Sequence, residues 1–145
     1  MSPKYLQALL GPDGCLTSAL AEGVEVALRV SGGCMEPDLA DGAVIRMEGS
    51  RLFVPGDVVA FHCPHQNRLL MHRFLGYVRT RGRWKLMTMA DRGTRPDPLV
   101  DLASVLGRVA VQSGRAYHVG PGKRLQAVRR YSRWGARYVI RRILR

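Results

Sequence analysis

Val24-Glu25-Val26-Ala27-Leu28-Arg29-Val30-Ser31-Gly32-Gly33-Cys34-Met35-Glu36-Pro37-Asp38-Leu39 is the stretch on which the reading of the fold turns. Val24, Val26, Leu28 and Val30 alternate strictly with Glu25, Ala27 and Arg29. A period of two puts the first set on one face of a pleated strand. The alternation stops at two glycines, residues free to take the positive φ that a sharp turn needs. A thiol follows at once. The stretch predicts a half-buried strand ending in a turn that presents Cys34.

Downstream, residues 43–47, 57–63, 68–79, 83–89 and 106–112 are further β-like runs, rich in Val, Leu, Phe and Tyr. Gly or Pro punctuates the joints at Asp41-Gly42, Pro55-Gly56-Asp57, Cys63-Pro64, Arg81-Gly82, Arg95-Pro96 and Ser113-Gly114. Thr80-Arg81-Gly82 joins two of the runs as a hairpin. Many short strands with turns between them predict a mainly β, compact antiparallel domain over residues 1–121. Upstream, a short helix is expected at about 4–22, with Tyr5, Leu6, Leu9 and Leu10 as its apolar side.

Charge separates a second segment. The 145 residues carry 23 Lys+Arg against 11 Asp+Glu, a formal net charge of +12. All 11 acids lie at or before Asp101, and nine of the basic residues lie in 123–145. Residues 1–122 hold 14 basic and 11 acidic groups, a net of +3, so the excess belongs to the tail. Gly120-Pro121-Gly122 breaks the preceding structure, and Leu125, Val128, Tyr131, Trp134 and Tyr138 then recur at helical spacing. A basic amphipathic helix over 122–145 is expected. Arg on one side and Trp, Tyr, Ile and Leu on the other suit an anionic membrane interface, with Arg129, Arg130, Arg133, Trp134, Arg137 and Arg141 as its contacts. The competing reading packs this helix on its own domain. Nucleic acid ranks behind both, because no recognised motif accompanies the arginines.

Three cysteines, Cys15, Cys34 and Cys63, argue against a disulfide framework and for a reduced compartment. No run approaches the roughly 20 apolar residues of a membrane span, and the start shows no secretory signal. A cytoplasmic protein, peripheral on the inner face of the membrane, is the expected setting. His62-Cys63-Pro64-His65 offers nitrogen and sulfur ligands, but without the spacing of a zinc site, so no metal or other cofactor is expected.

The order of motifs carries more than any one of them. Cys34-Met35 with Pro37 is followed by Asp41-Gly42, Pro55-Gly56-Asp57-Val58-Val59-Ala60-Phe61, Met71-His72-Arg73-Phe74, Met89-Ala90-Asp91 and Leu106-Gly107-Arg108-Val109. Over roughly 24–112 this resembles the catalytic domain of the signal peptidase I superfamily, which includes the self-cleaving SOS-response repressors. In that superfamily a Gly-x-Ser-Met-x-Pro loop carries the nucleophile and a later strand carries the base. The resemblance implies Cys34 where the serine stands and His72 at the base position, closest to the archaeal and endoplasmic-reticulum branch. In that branch an acid of the following turn assists the histidine, which leaves Asp97 and Asp91 as candidates, with Asp97 preferred.

The two substitutions fit each other chemically. A histidine is ready as a base near neutrality, and a neighbouring imidazolium lowers a thiol toward the thiolate. Cys–His pairs steadied by a carboxylate are an established nucleophilic arrangement. The cleft is expected to comprise Gly33, Cys34, Ser31 and Met35. The Cys34 N–H would be one oxyanion donor, and the second is open, because Gly32 stands where relatives often supply a hydroxyl. The expectation is a thiol-dependent endopeptidase that matures a specific peptide or protein precursor. The alternative is a catalytically inactive peptide-binding module of the same fold, whose basic tail binds membrane or nucleic acid. Self-cleavage of the repressor kind is disfavoured by the roughly 23 residues before the first strand, too few for a DNA-binding domain with a linker.

Overall fold

The structure is a computed structural model, and it describes residues 26–50, 52–63 and 68–144. Among the described residues there are eight strands: β1 (Val26–Arg29), β2 (Val44–Glu48), β3 (Val58–Cys63), β4 (Arg68–Thr80), β5 (Arg83–Met89), β6 (Val100–Asp101), β7 (Val105–Gln112) and β8 (Arg115–Ala116). One helix, α1 (Pro121–Ile143), follows them, and a single 3₁₀ turn, Leu102–Ser104, lies before β7. The strands form one antiparallel sheet in the order β1-β2-β7-β3-β4-β5-β6, with β8 beside β7. The protein is thus mainly β with a helix at its carboxy-terminal end. The expected helix near 4–22, Cys15, the first two residues of the alternating stretch, and Pro64 and His65 lie outside the described residues.

β3 lies between β7 and β4 and is buried along nearly its whole length. Its alternation divides the interior. Val58 and Ala60 join Leu28, Met35, Leu39, Ile45, Met47, Leu106 and Val109 in one apolar cluster. Val59, Phe61 and Cys63 join Phe53, Phe74, Leu86 and Val100 in another. Leu28 and Ile45 come from adjacent strands at paired positions, so the period of two read in the sequence reappears as a buried face. Gly107 explains why β7 carries glycine at its centre: any Cβ there would overlap the carbonyl oxygen of Glu48 on β2.

β4 is the strand that builds the site. It has 13 residues, and its two edges are used unequally. Toward β3 it pairs from Arg68 to Arg73; toward β5 it pairs only from Arg73 to Thr80. Residues 68–72 therefore have an open edge on the β5 side among the described residues. At the far end Thr80 pairs with Arg83 across Arg81-Gly82. Both turn residues take positive φ, +49° and +77°, the conformation that matches strand twist in a two-residue hairpin. A bulge at Leu75 interrupts the β4–β5 register.

α1 begins one residue before its expected start, with Pro121 in its first turn and Gly120 at its N-cap. Its first four turns pack on the sheet. Ala127 is buried, and Tyr131 and Trp134, four and seven residues on, pack with Leu75, Met87 and Met89. The Tyr131 ring lies on Gly76, leaving no room for a Cβ, and its hydroxyl donates to the Tyr77 carbonyl at 2.6 Å. Arg124 donates to Asp57 at 2.7 Å and to the Pro55 carbonyl at 3.1 Å. Two residues expected at a membrane are thus committed to the domain. Trp134 packs on the sheet, and Arg130 donates to the carbonyls of Ala90 and Asp91 at 3.5 and 3.2 Å. The reason is helical phase: both share the face of Ala127. Arg129, Arg133, Arg137 and Arg141 stay exposed, as do Tyr138, Val139, Ile140, Ile143 and Leu144. Among the described residues no helix is long and apolar enough to cross a membrane.

Candidate active site

His72 and Arg73 are neighbours on β4 and point to opposite faces of the sheet, so each meets a different acid. The Nδ1 of His72 lies 2.7 Å from Oδ2 of Asp97. Asp97 is held in place from both ends: its N–H donates to the Thr88 carbonyl at 2.8 Å, and the Thr88 hydroxyl donates to the same Oδ2 at 2.7 Å. Thr88 is wholly buried on β5 and His72 is 8% exposed, its ring edge-on to Phe61 at 6.1 Å. A carboxylate on Nδ1 keeps the proton there and leaves Nε2 with its lone pair. This is the arrangement of an oriented general base.

Asp91 is placed elsewhere. Arg73, 2% exposed, grips it in a fork: Nε to Oδ1 at 2.9 Å and Nη2 to Oδ2 at 2.5 Å. The same guanidinium reaches Asp38 at 2.6 Å, the Gly56 carbonyl at 2.9 Å and the Tyr117 hydroxyl at 3.2 Å. Tyr117 in turn donates to Asp38, and Lys123 of α1 stands 3.5 Å from Asp91. Asp91, one of the two acids considered for His72, is therefore an anchor for Arg73. Its carboxylate is taken up by two of the donors of that buried guanidinium, beside Asp38.

The Cys34 turn is fixed by its flanks. Gly32 takes φ +93°, and its N–H donates to Oδ1 of Asp41 at 2.9 Å. Met35 and Leu39, 1% and 0% exposed, pin the following residues into the core. The Cys34 carbonyl accepts from the Arg92 N–H at 3.1 Å, tying the turn to the loop that carries Asp91. The Cys34 side chain is exposed. It opens into a groove of about 280 Å³ lined by β1 and the turn on one side (Leu28 to Ser31, Cys34, Met35) and by Arg68 to His72 on the other. Ser31, Cys34, Met35 and His72 thus share one cleft. Gly33 lies just behind, against the Glu36 carboxylate, and the Gly32 N–H is already spent on Asp41.

The thiol's electrostatics differ from the sequence expectation. Partial burial, and then the carboxylates of Asp97 and Asp91, push Cys34 above its ordinary value; its own backbone N–H and Arg68 pull the other way and lose. The direction is thus opposite to the expected lowering: burial is the largest cause, and Asp97 and Asp91 add negative charge at the same spot. A raised thiol holds its proton until a base takes it. Iodoacetamide modification of Cys34 should accordingly rise with pH through an inflection above the roughly 8.5 of a free thiol. Rates measured from pH 6 to 10 with mass-spectrometric assignment check this; an inflection near pH 7 would contradict it.

Several working parts escaped the sequence. Thr88 carries no motif, and its role appears only once Asp97 folds back on β5. Asp38 and Tyr117 are 79 residues apart, yet they hydrogen-bond directly and share Arg73. Arg29 and Arg68 were not marked, although both line the groove. Among the described residues no group of three or more His, Cys, Asp or Glu side chains is placed to hold a metal ion. No protein-family model matches the sequence, and no curated protein matches it.

Proposed function

We propose that this chain is a cysteine endopeptidase of signal-peptidase type that cleaves a peptide or protein precursor bound in extended form along the groove. The single observation that carries the reading is the Asp97–His72 pair opening on the cleft that holds the Cys34 thiol. Among the described residues two unpaired edges border that cleft: β1, at the end of the strand order, and residues 68–72 of β4. Unpaired strand edges bind extended chains through main-chain hydrogen bonds.

The chemistry follows from the raised thiol. Sγ of Cys34 attacks the scissile carbonyl carbon while Nε2 of His72 takes its proton. Asp97 stabilises the imidazolium that forms. The C–N bond breaks as Nε2 returns the proton to the leaving amine, leaving a thioester on Cys34. Water, deprotonated by the same nitrogen, then releases the carboxylate and restores the thiol. The Cys34 N–H is the assigned oxyanion donor.

A proteome-derived peptide library tests the reading. Incubation with the protein should yield new amino termini, and the Cys34→Ala variant should yield none. A library left intact by the wild-type protein, or cut equally by the variant, would overturn it.

The same proposal extends to location: a reduced compartment, on the inner, anionic face of a membrane. Arg79, Arg81, Trp84, Tyr138, Val139 and Arg141 line one shared surface between the β4–β5 hairpin and the outer half of α1, and among the described residues no carboxylate lines it. Trp84 is 54% exposed and Leu144 81%. Apolar and aromatic side chains ringed by arginine fit a headgroup interface. Because the first half of α1 is part of the fold, its outer arginines are the right ones to change. Arg133→Glu with Arg141→Glu should weaken pelleting with phosphatidylserine–phosphatidylcholine vesicles by about 30-fold, at on the order of 1 kcal/mol per arginine near the surface. Equal binding to purely neutral vesicles, or displacement from anionic ones by a DNA duplex, would overturn the membrane assignment.

A further inference from the structure

The groove has a charge of its own. Its walls are apolar (Leu28, Val30, Met35, Leu69, Met71), and Arg29 stands on one side and Arg68 on the other. Among the described residues no Asp or Glu lines it. Both arginines are exposed, and neither side chain forms an ion pair or hydrogen bond with another described residue. Arg73, Arg92, Arg108 and Arg124 each have a carboxylate partner. Two guanidinium groups lining one cleft, with no counter-ion among the described residues, repel each other, and a bound anion would relieve that repulsion.

From this we infer that the groove selects substrates bearing an acidic side chain, read by Arg68 together with Arg29, at a fixed distance from the scissile bond. The inference rests on the peptide-cleaving reading and deepens it by naming the substrate class. The distance comes from the strand. Arg68, Leu70 and His72 share one face of β4, and four residues at about 3.3 Å each separate Arg68 from His72 by about 13 Å. A peptide laid along the open edge advances at the same rate. Its acidic residue therefore falls about four residues from the residue beside His72. The apolar walls between accept the intervening side chains.

Two measurements test this, one with catalysis and one without. In the library digest, cut sites should show Asp or Glu enriched at one position about four residues from the cut. Arg68→Glu should convert that enrichment to Lys or Arg at the same position, and Arg29→Glu should weaken it. Profiles with no acidic preference, or unchanged by Arg68→Glu, would overturn the inference. The second measurement probes an array of immobilised random decapeptides with labelled Cys34→Ala protein. Acid-containing peptides should be retained several-fold more strongly, and Arg68→Glu should reverse the order. Arg129→Glu, on the exposed face of α1 and outside the residues that line the groove, removes as much charge and should leave the ranking intact. If the helix variant abolishes the preference as fully as Arg68→Glu, net charge and not the groove is responsible, and the inference fails. If the digest shows no cutting but the array preference reverses with Arg68→Glu, the peptidase reading falls and the acidic selectivity stands.

Discussion

Cleavage of library-derived substrates is expected to fall by about 10⁴–10⁶-fold in Cys34→Ala, and by a similar factor in His72→Ala, measured as kcat/KM. The two residues perform one proton-coupled step, so the double variant should be no worse than either single one. Asp97→Asn should cost less, about 10²–10⁴-fold. An amide opposite Nδ1 offers an N–H where an acceptor is needed, which favours the wrong tautomer of His72 and takes the lone pair from Nε2. Asp91→Asn separates the two acids cleanly. It leaves His72 untouched, and its effect should appear in unfolding experiments with kcat nearly unchanged. A loss of kcat in Asp91→Asn equal to that in Asp97→Asn would mean that the assignment is wrong.

Arg73→Met is expected to be the most destabilising single change in the domain, by about 3–5 kcal/mol, read as a shift of the urea midpoint at unchanged slope. The loss is large against the 5–15 kcal/mol that holds a typical domain together. It does not measure what the ion pairs add, because removing Arg73 strands the Asp91 carboxylate, whose side chain is 3% exposed. Replacing all three charges, as Arg73→Met with Asp91→Asn and Asp38→Asn, should therefore recover part of the stability. Acid sensitivity follows from the same network. Burial works to raise Asp38, but hydrogen bonds from Arg73 and Tyr117 prevail and hold its carboxyl below the ordinary value. Its stabilising contribution is complete above the unfolded-state value of about 3.9 and is lost as pH falls through the lower folded value. Acid unfolding followed by circular dichroism should begin below about pH 4 in the wild-type protein and at higher pH in Arg73→Met.

Strand alternation made most of the sheet legible in advance, because one buried face leaves a period of two in the sequence. β6 and β8 are two residues each, too short to carry any period. The choice between Asp91 and Asp97 could not be made from spacing, since both lie in the turn after β5. Side-chain parity on β4 decides it: adjacent residues face opposite ways, so His72 and Arg73 must each take a different acid. The thiol's direction was not legible at all. It depends on the cleft's depth and on carboxylates some 60 residues away in the chain. For α1, the spacing of Leu125, Val128, Tyr131, Trp134 and Tyr138 marked an apolar face, yet Leu125, Val128 and Tyr138 stay exposed and the small Ala127 is the residue buried; nothing in the sequence marked Gly76 as the flat site that receives Tyr131.

The edges of β1 and β4 left open among the described residues have a second consequence, in the test tube and not in the cleft. An edge that accepts a peptide accepts equally the edge of another copy, which is how folded proteins begin to self-associate. Here Arg29 and Arg68 lie on those two strands, and the whole chain carries +12. Mutual repulsion between copies thus guards the same hydrogen-bonding groups that the groove offers. That guard is electrostatic and is blunted by salt, whose screening length is only about 3 Å at 1 M. This protein should stay dispersed in dilute buffer and clump in concentrated salt, until a peptide fills the gap and removes the cause.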